Sequence, residues 1–230
     1  MTPKAIQLLL GAPVLLFAMV AHEYAHGYAA HLQGDDTAKQ LGRLSWNPLR
    51  HIDPWMTIIL PVVMFWGSNG RMAFGGAKPV PVDPRNYRNY RRGDIIVSLA
   101  GIATNLLLAM LMVPAIIGLG FVSRLVPAAS DTLALVQLMF LIGIWFNLLL
   151  AVFNLMPLPP LDGSHVVKHL LPARWVMYYL RLARYGFVIL IVLLMFGGPV
   201  LNAWMAPAFW LNRHAVDLVS PYIILSPWTT

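Results

Sequence analysis

Charges in this chain are spaced too widely for a soluble fold. Uncharged runs extend from Ala5 through Ala21 into the segment His22-Glu23-Tyr24-Ala25-His26, from Asp94 to Arg124, from Asp131 to Asp162 and from Arg184 to Arg213. About 20 apolar residues carry a helix across a hydrocarbon layer of about 30 Å, and all four runs are long enough to do so. The composition agrees: 59% of the 230 residues are hydrophobic and 11% charged, against about 45–50% and about 25% in an ordinary soluble domain. A secreted domain, a soluble nucleic-acid binder and a disordered tail are excluded on that ground.

The stretch between Asp53 and Arg71 is apolar only from Trp55 to Trp66, about 18 Å as a helix at 1.5 Å per residue. With Pro61 in its middle it is expected to form a re-entrant or shallow hairpin rather than a full span. Basic residues set the orientation, because short loops rich in Lys and Arg stay in the cytoplasm. Lys39, Arg43 and Arg50 precede this stretch, and Arg71, Lys78, Arg85, Arg88, Arg91 and Arg92 follow it. Both flanks read as cytoplasmic, which puts the N-terminus outside and His22, about 26 Å along the first helix from Ala5, in the cytoplasmic half. The segment Pro172 to Tyr185 mixes aromatics with spaced Arg and is expected to lie along the interface before a last span. The piece after Asp217 is short and should lie at the interface or fold back. The net charge of +7 is then loop charge, and no nucleic-acid partner is expected.

The expected fold is an all-α polytopic membrane protein of about four to six transmembrane or half-spanning helices. A small cytoplasmic or re-entrant β-hairpin or loop region completes it. The whole of residues 1–230 forms one domain, with a core of about 5–170 and an interfacial helix and extra span in 171–230. GGAKPVPV alternates small and β-branched residues, with prolines where an edge strand tolerates them. Such a strand could hold an unwound peptide by backbone hydrogen bonding, although a plain loop is an equal reading.

An ionisable residue inside a span costs about 2.5–3.5 kcal/mol on insertion scales and so has a function or a partner. Three fall together in His22-Glu23-Tyr24-Ala25-His26, and Glu23 is the only glutamate of the chain, the other eight acidic residues being Asp. On a helix His22 and His26 share one face, and Glu23 can aim its carboxylate at water beside a metal held there. Residue frequencies predict this pattern by chance on the order of one time in a thousand chains. Without cysteine no thiolate site or disulfide can form, so a third ligand must be His, Asp or Glu. Asp162 is the candidate: it ends an uncharged helix in Asn154-Leu155-Met156-Pro157-Leu158-Pro159-Pro160-Leu161-Asp162-Gly163, and its prolines free backbone groups that must be satisfied inside protein.

HEYAH in the first helix and the later NLMPLPPLDG resemble the paired signatures of the site-2 protease family of intramembrane zinc metalloproteases. GRLSWNPLRHIDP, GGAKPVPVDPRNYRNYRR and SLAGIATN resemble connecting segments of its compact prokaryotic members, so the similarity covers roughly Ala18 to Val167. The resemblance implies one zinc ion held by His22, His26 and Asp162. It makes Glu23 the base that activates water and Asn154 a contact to the substrate backbone or the developing oxyanion. It also implies transmembrane protein substrates, and a multi-pass protein of a prokaryotic cell membrane with its site toward the cytoplasm. Family members tend to carry Gly-Pro-x-x-Asn in a core helix; Gly101 and Asn105 match it, with Ile102 in place of the proline. The turn from Arg124 to Asp131 leaves no room for the PDZ or CBS domains of some members. The alternative is a zinc-binding membrane scaffold or a transporter-like protein without protease activity. For His51 an exposed loop position is the simpler reading against a tuning role at the metal, and for His165 a loop or interfacial position.

Overall fold

The computed structural model describes residues 3–67 and 75–225, and its regular structure is entirely helical. Arg71 lies outside the described residues. The first helix, α1 (Pro3–Gln33), leads to the short α2 (Thr37–Gln40). A π-helical turn (Pro54–Ile59) then runs into α3 (Leu60–Gly67), and the long α4 (Tyr90–Leu125) follows. After a one-turn 3-10 connection the chain forms α5 (Ser130–Asn154), α6 (Asp162–Leu170), α7 (Ala173–Ala183), α8 (Gly186–Phe196) and α9 (Gly198–Val219).

Among the described residues, three helices are long and apolar enough to cross a membrane: Leu9–Gln33, Tyr90–Leu125 and Pro127–Asn154. Helices α7 and α8 make a fourth candidate, bent by 72° at the break between them. This is the architecture of a multi-pass membrane protein. The expected single span from Arg184 to Arg213 is not formed, because α8 stops at Phe196 and α9 begins at Gly198. Gly197-Gly198-Pro199 favours the break, since glycine lowers helix stability and Pro199 fits the first turn of α9, where its missing N–H is not needed. Trp55 to Trp66 is helical as far as Gly67, with Pro61 just after the point where the π-helical turn passes into α3.

Helices α1, α4 and α5 form the core, α9 packs on α5, and α6 on α4. Lipid supplies no hydrophobic drive between helices, so close packing and interhelical hydrogen bonds must hold them. Small buried residues line the seams: Ala18, Ala21, Ala29 and Ala30 on α1, Gly93, Gly101 and Ala109 on α4, Ala134, Gly143 and Ala151 on α5. Fully buried Gln137 of α5 donates to the carbonyls of Ile116 and Tyr222 (2.9 Å each) and accepts from the N–H of Ile224 (2.9 Å). The segment after Asp217 thus folds back onto α4 and α5, with polar contacts of about 0.6–2 kcal/mol each.

No strand occurs among the described residues, so of the two readings of GGAKPVPV the strand or β-hairpin is not formed and the segment is a loop. Its backbone is spent on other partners. Gly76 N–H donates to the carbonyl of Met56 (3.0 Å), Lys78 N–H to that of His51 (2.7 Å) and Val80 N–H to a side chain of α1, while Pro79 and Pro81 have no N–H to give. Proline interrupts a ladder on both sides of Val80, so the segment lies as a single irregular strap. His51 corrects a second expectation. Its side chain is fully buried, with Nε2 2.7 Å from the carbonyl of Ser45. His165 lies on helix α6 rather than in a loop.

Candidate metal centre

On α1, His22 and His26 are one turn apart and both face α4. His22 is buried and His26 nearly so. Their approach to α4 depends on Gly101, where a Cβ would stand 2.5 Å from His26 Nε2, 2.6 Å from His22 Cε1 and 2.7 Å from His22 Nδ1. No other residue leaves room for the two rings.

Asp162 arrives as the first residue of α6. The loop before it is anchored by Met156 and Leu161, which pack with Leu190 and Leu194 of α8. Gly163 is required by the turn, since a Cβ there would meet the carbonyl oxygen of Leu155 at 2.0 Å. Asp162 Oδ2 then lies 3.1 Å from His22 Nε2 and 3.2 Å from His26 Nε2, and the two Nε2 atoms are 3.0 Å apart.

Surrounding acceptors fix how these rings present themselves. His26 Nδ1 is 2.7 Å from the carbonyl of Val97, which can only accept, so Nδ1 carries the hydrogen and donates. His22 Nδ1 is 2.6 Å from Asn105 Oδ1. That amide's orientation is set in turn, because Asn105 Nδ2 donates to the carbonyl of Ala18 (3.2 Å) and to Asn147 Oδ1 (2.8 Å), while Asn147 Nδ2 donates to the carbonyl of Gly143 (2.9 Å). In their neutral form both imidazoles therefore turn an Nε2 lone pair toward Asp162. The Asp162 carboxylate lies within 3.2 Å of both Nε2 atoms. Its Oδ2 is buried and has no hydrogen-bond partner.

Two lone pairs and an anion converging in this way require a positive charge among them. The donor set of two imidazoles and a carboxylate suits zinc. The spacing suits it too: ligands about 2.0–2.1 Å from a tetrahedral centre are separated from one another by about 3.3 Å, close to the observed 3.0–3.2 Å. Among the described residues these three form the only group of His, Cys, Asp or Glu side chains able to share a metal ion.

Glu23 reaches the strap, where its Oε2 accepts from Val80 N–H at 2.7 Å. Val80 is buried over Gly27, where a Cβ would meet its Cγ1 at 2.9 Å. Asn154 closes α5, and its Nδ2 donates to the carbonyl of Leu150 one turn back (2.9 Å). Sequence reasoning left the Asn105–Asn147 relay and the Val80 contact unseen. The Gly101-x-x-x-Asn105 spacing was the available signal for the relay, whereas nothing local announces the strap.

Comparison with known proteins follows the same lines. The chain matches peptidase family M50 over residues 10–197. It is 38% identical to "Putative zinc metalloprotease YwhC" of Bacillus subtilis over 179 residues, 78% of this chain and 77% of that protein. It is 31% identical to "Putative zinc metalloprotease Rip2" of Mycolicibacterium smegmatis over 193 residues, 82% of this chain and 67% of that one. For the Rip2 protein of Mycobacterium tuberculosis the identity is 30% over 198 residues, 85% and 70% of the two chains. No solved structure matches.

Proposed function

The chain belongs to peptidase family M50, and we propose that it is an intramembrane zinc endopeptidase that hydrolyses peptide bonds in the transmembrane segments of other membrane proteins. His22, His26 and Asp162 hold one zinc ion. The observation that carries this reading is the mutual approach of three ligand atoms to 3.0–3.2 Å from two helices far apart in sequence.

Bound there, zinc would supply Lewis acidity to polarise the scissile carbonyl and acidify the attacking water. Glu23, beside the ligand pair, receives the attacking water's proton and returns it to the departing amine nitrogen. The Val80 N–H fixes one carboxylate oxygen of Glu23 and leaves the other for that exchange. Asn105 and the Val97 carbonyl hold the two imidazoles in the tautomer that offers Nε2. Asn154, at the end of α5, contacts the substrate backbone or the developing oxyanion. The site faces the cytoplasm, a reading supported by Lys39, Arg43, Arg50, Lys78, Arg85 and Arg88 in the connections between α1 and α4.

Metal analysis of the purified protein, paired with cleavage of a panel of single-span substrates, tests the assignment. Glu23→Gln should keep a full zinc complement and lose about 10²–10⁴-fold in cleavage rate; unchanged cleavage would remove Glu23 from the chemistry. Asp162→Ala should lose zinc, and a full complement in that variant would refute the ligand set.

A further inference from the structure

Four residues of α4, Asp94, Val97, Gly101 and Asn105, are spaced three, four and four apart and so form one stripe of the helix. Three of them already touch the centre: the Val97 carbonyl holds His26, Asn105 holds His22, and Gly101 makes room for both rings. The fourth has no role in anything derived above. Asp94 is buried, with 3% of its surface exposed, and an unpaired carboxylate there would be costly.

Its partners all come from α6. Lys168 Nζ and His169 Nε2 lie 2.7 Å from Asp94 Oδ2, and His165 Nδ1 lies 3.3 Å from Oδ1. The neighbouring turn of α4 adds to the contact: Arg91 Nη2 donates to the carbonyl of His169 (2.8 Å), and Lys168 Nζ donates to the hydroxyl of Tyr90 (3.3 Å). On α6 itself Asp162, His165 and His169 stand at i, i+3 and i+7, a single face. The face that presents the carboxylate to the histidines of α1 is therefore the face bound to Asp94. Helix α6 has only nine residues; the loop before it is held against α8 through Met156 and Leu161, and the Asp94 contacts tie the helix itself to α4.

We propose that Asp94 is a positioning residue of the metal centre: by binding Lys168, His169 and His165 it fixes α6 on α4 and so fixes the point from which Asp162 reaches the two imidazoles. This inference rests on the assignment of Asp162 as a ligand. On that basis the α4 stripe serves all three ligands, two directly and the third through its helix.

The experiment measures zinc affinity of the full-length protein in detergent by competition with a chromogenic chelator. It also records the visible spectrum of the cobalt(II)-loaded protein and the thermal midpoint of the metal-free form. Asp94→Asn should weaken zinc binding by about 10-fold or more and alter the cobalt bands, with Asp94→Glu restoring part of both. Asp94→Asn strands the Lys168 cation and could fail to fold for that reason alone. The double variant Asp94→Asn/Lys168→Gln removes the stranded charge and should show the same loss of affinity at a near-native thermal midpoint. Wild-type affinity and an unaltered cobalt spectrum in either folded variant would overturn the inference. Asp162→Ala separates the two failures: if it loses zinc while the Asp94 variants do not, only the role of Asp94 falls. If Asp162→Ala binds zinc like the wild type, the ligand assignment falls and the inference with it.

Discussion

Replacing Gly101 by Ala adds one methyl group where α4 meets both imidazoles. That carbon would stand 2.5 Å from His26 Nε2 and 2.6–2.7 Å from two atoms of His22. Ordinary carbon contacts lie at about 3.5–4.0 Å, so the rings and α4 must separate by about 1 Å. A metal site tolerates ligand displacements of only about 0.2 Å. The shift also stretches the 2.6 Å contact of His22 to Asn105 and the 2.7 Å contact of His26 to Val97 beyond hydrogen-bond range. Zinc affinity should therefore fall at least as far as it does for lost supporting hydrogen bonds, about 10–100-fold. The metal-free fold should lose only the about 1–3 kcal/mol typical of an overpacked contact. Chelator competition reads the first effect and thermal unfolding in detergent the second. Gly118→Ala is the control, since nothing lies within 4 Å of its added carbon; it should bind zinc normally and gain helix stability of about 0.5–1 kcal/mol. Wild-type zinc affinity in Gly101→Ala would refute the claim that this glycine exists to admit the ligand rings.

Asn105→Ala should weaken zinc binding by about 10–100-fold through loss of the fixed His22 tautomer, and titration of metal into the apo-protein checks it. Asp35, at the junction after α1, predicts a pH effect. Burial works to raise its carboxyl, but donors from Asn86, Thr37 and Asp83 hold it below the usual range. A carboxyl lowered by folding stabilises the folded state above its unfolded pKa, and that stabilisation disappears as pH falls through the folded value. The thermal midpoint should accordingly drop below about pH 4, and Asp35→Asn should flatten that acid slope. A slope unchanged in the variant would exclude Asp35 as its source.

The elements legible in the sequence are those whose geometry is local. A helix dictates that His22 and His26 share a face, so half of the centre could be read from five residues. Asp162 stood out as the acid that ends an uncharged helix in a proline-rich segment, and the resemblance to the site-2 protease family made it the third ligand. The break at Gly197 went unread, because the distance between Arg184 and Arg213 gives only a length and says nothing of continuity. Tertiary pairing hid the rest. His51 looks like a loop histidine until the carbonyl of Ser45 and the strap close over it. Alternation in GGAKPVPV suggested a strand because pattern alone does not reveal that Val80 gives its only donor to Glu23. Asp94 marked the edge of an apolar run in the sequence, and its partners lie more than 70 residues away.

The distribution of the proposed ligands along the chain also bears on when the ion would be captured. During synthesis α1 enters the bilayer carrying two bare imidazoles, while the acidic partner on α6 and the amide on α5 that steadies Asn105 do not yet exist. Metal capture is thus a late event, coupled to completion of the fold. A nascent or truncated chain ending before Asp162 carries no finished active centre, and so no hydrolytic capacity, while most of the protein is still being made.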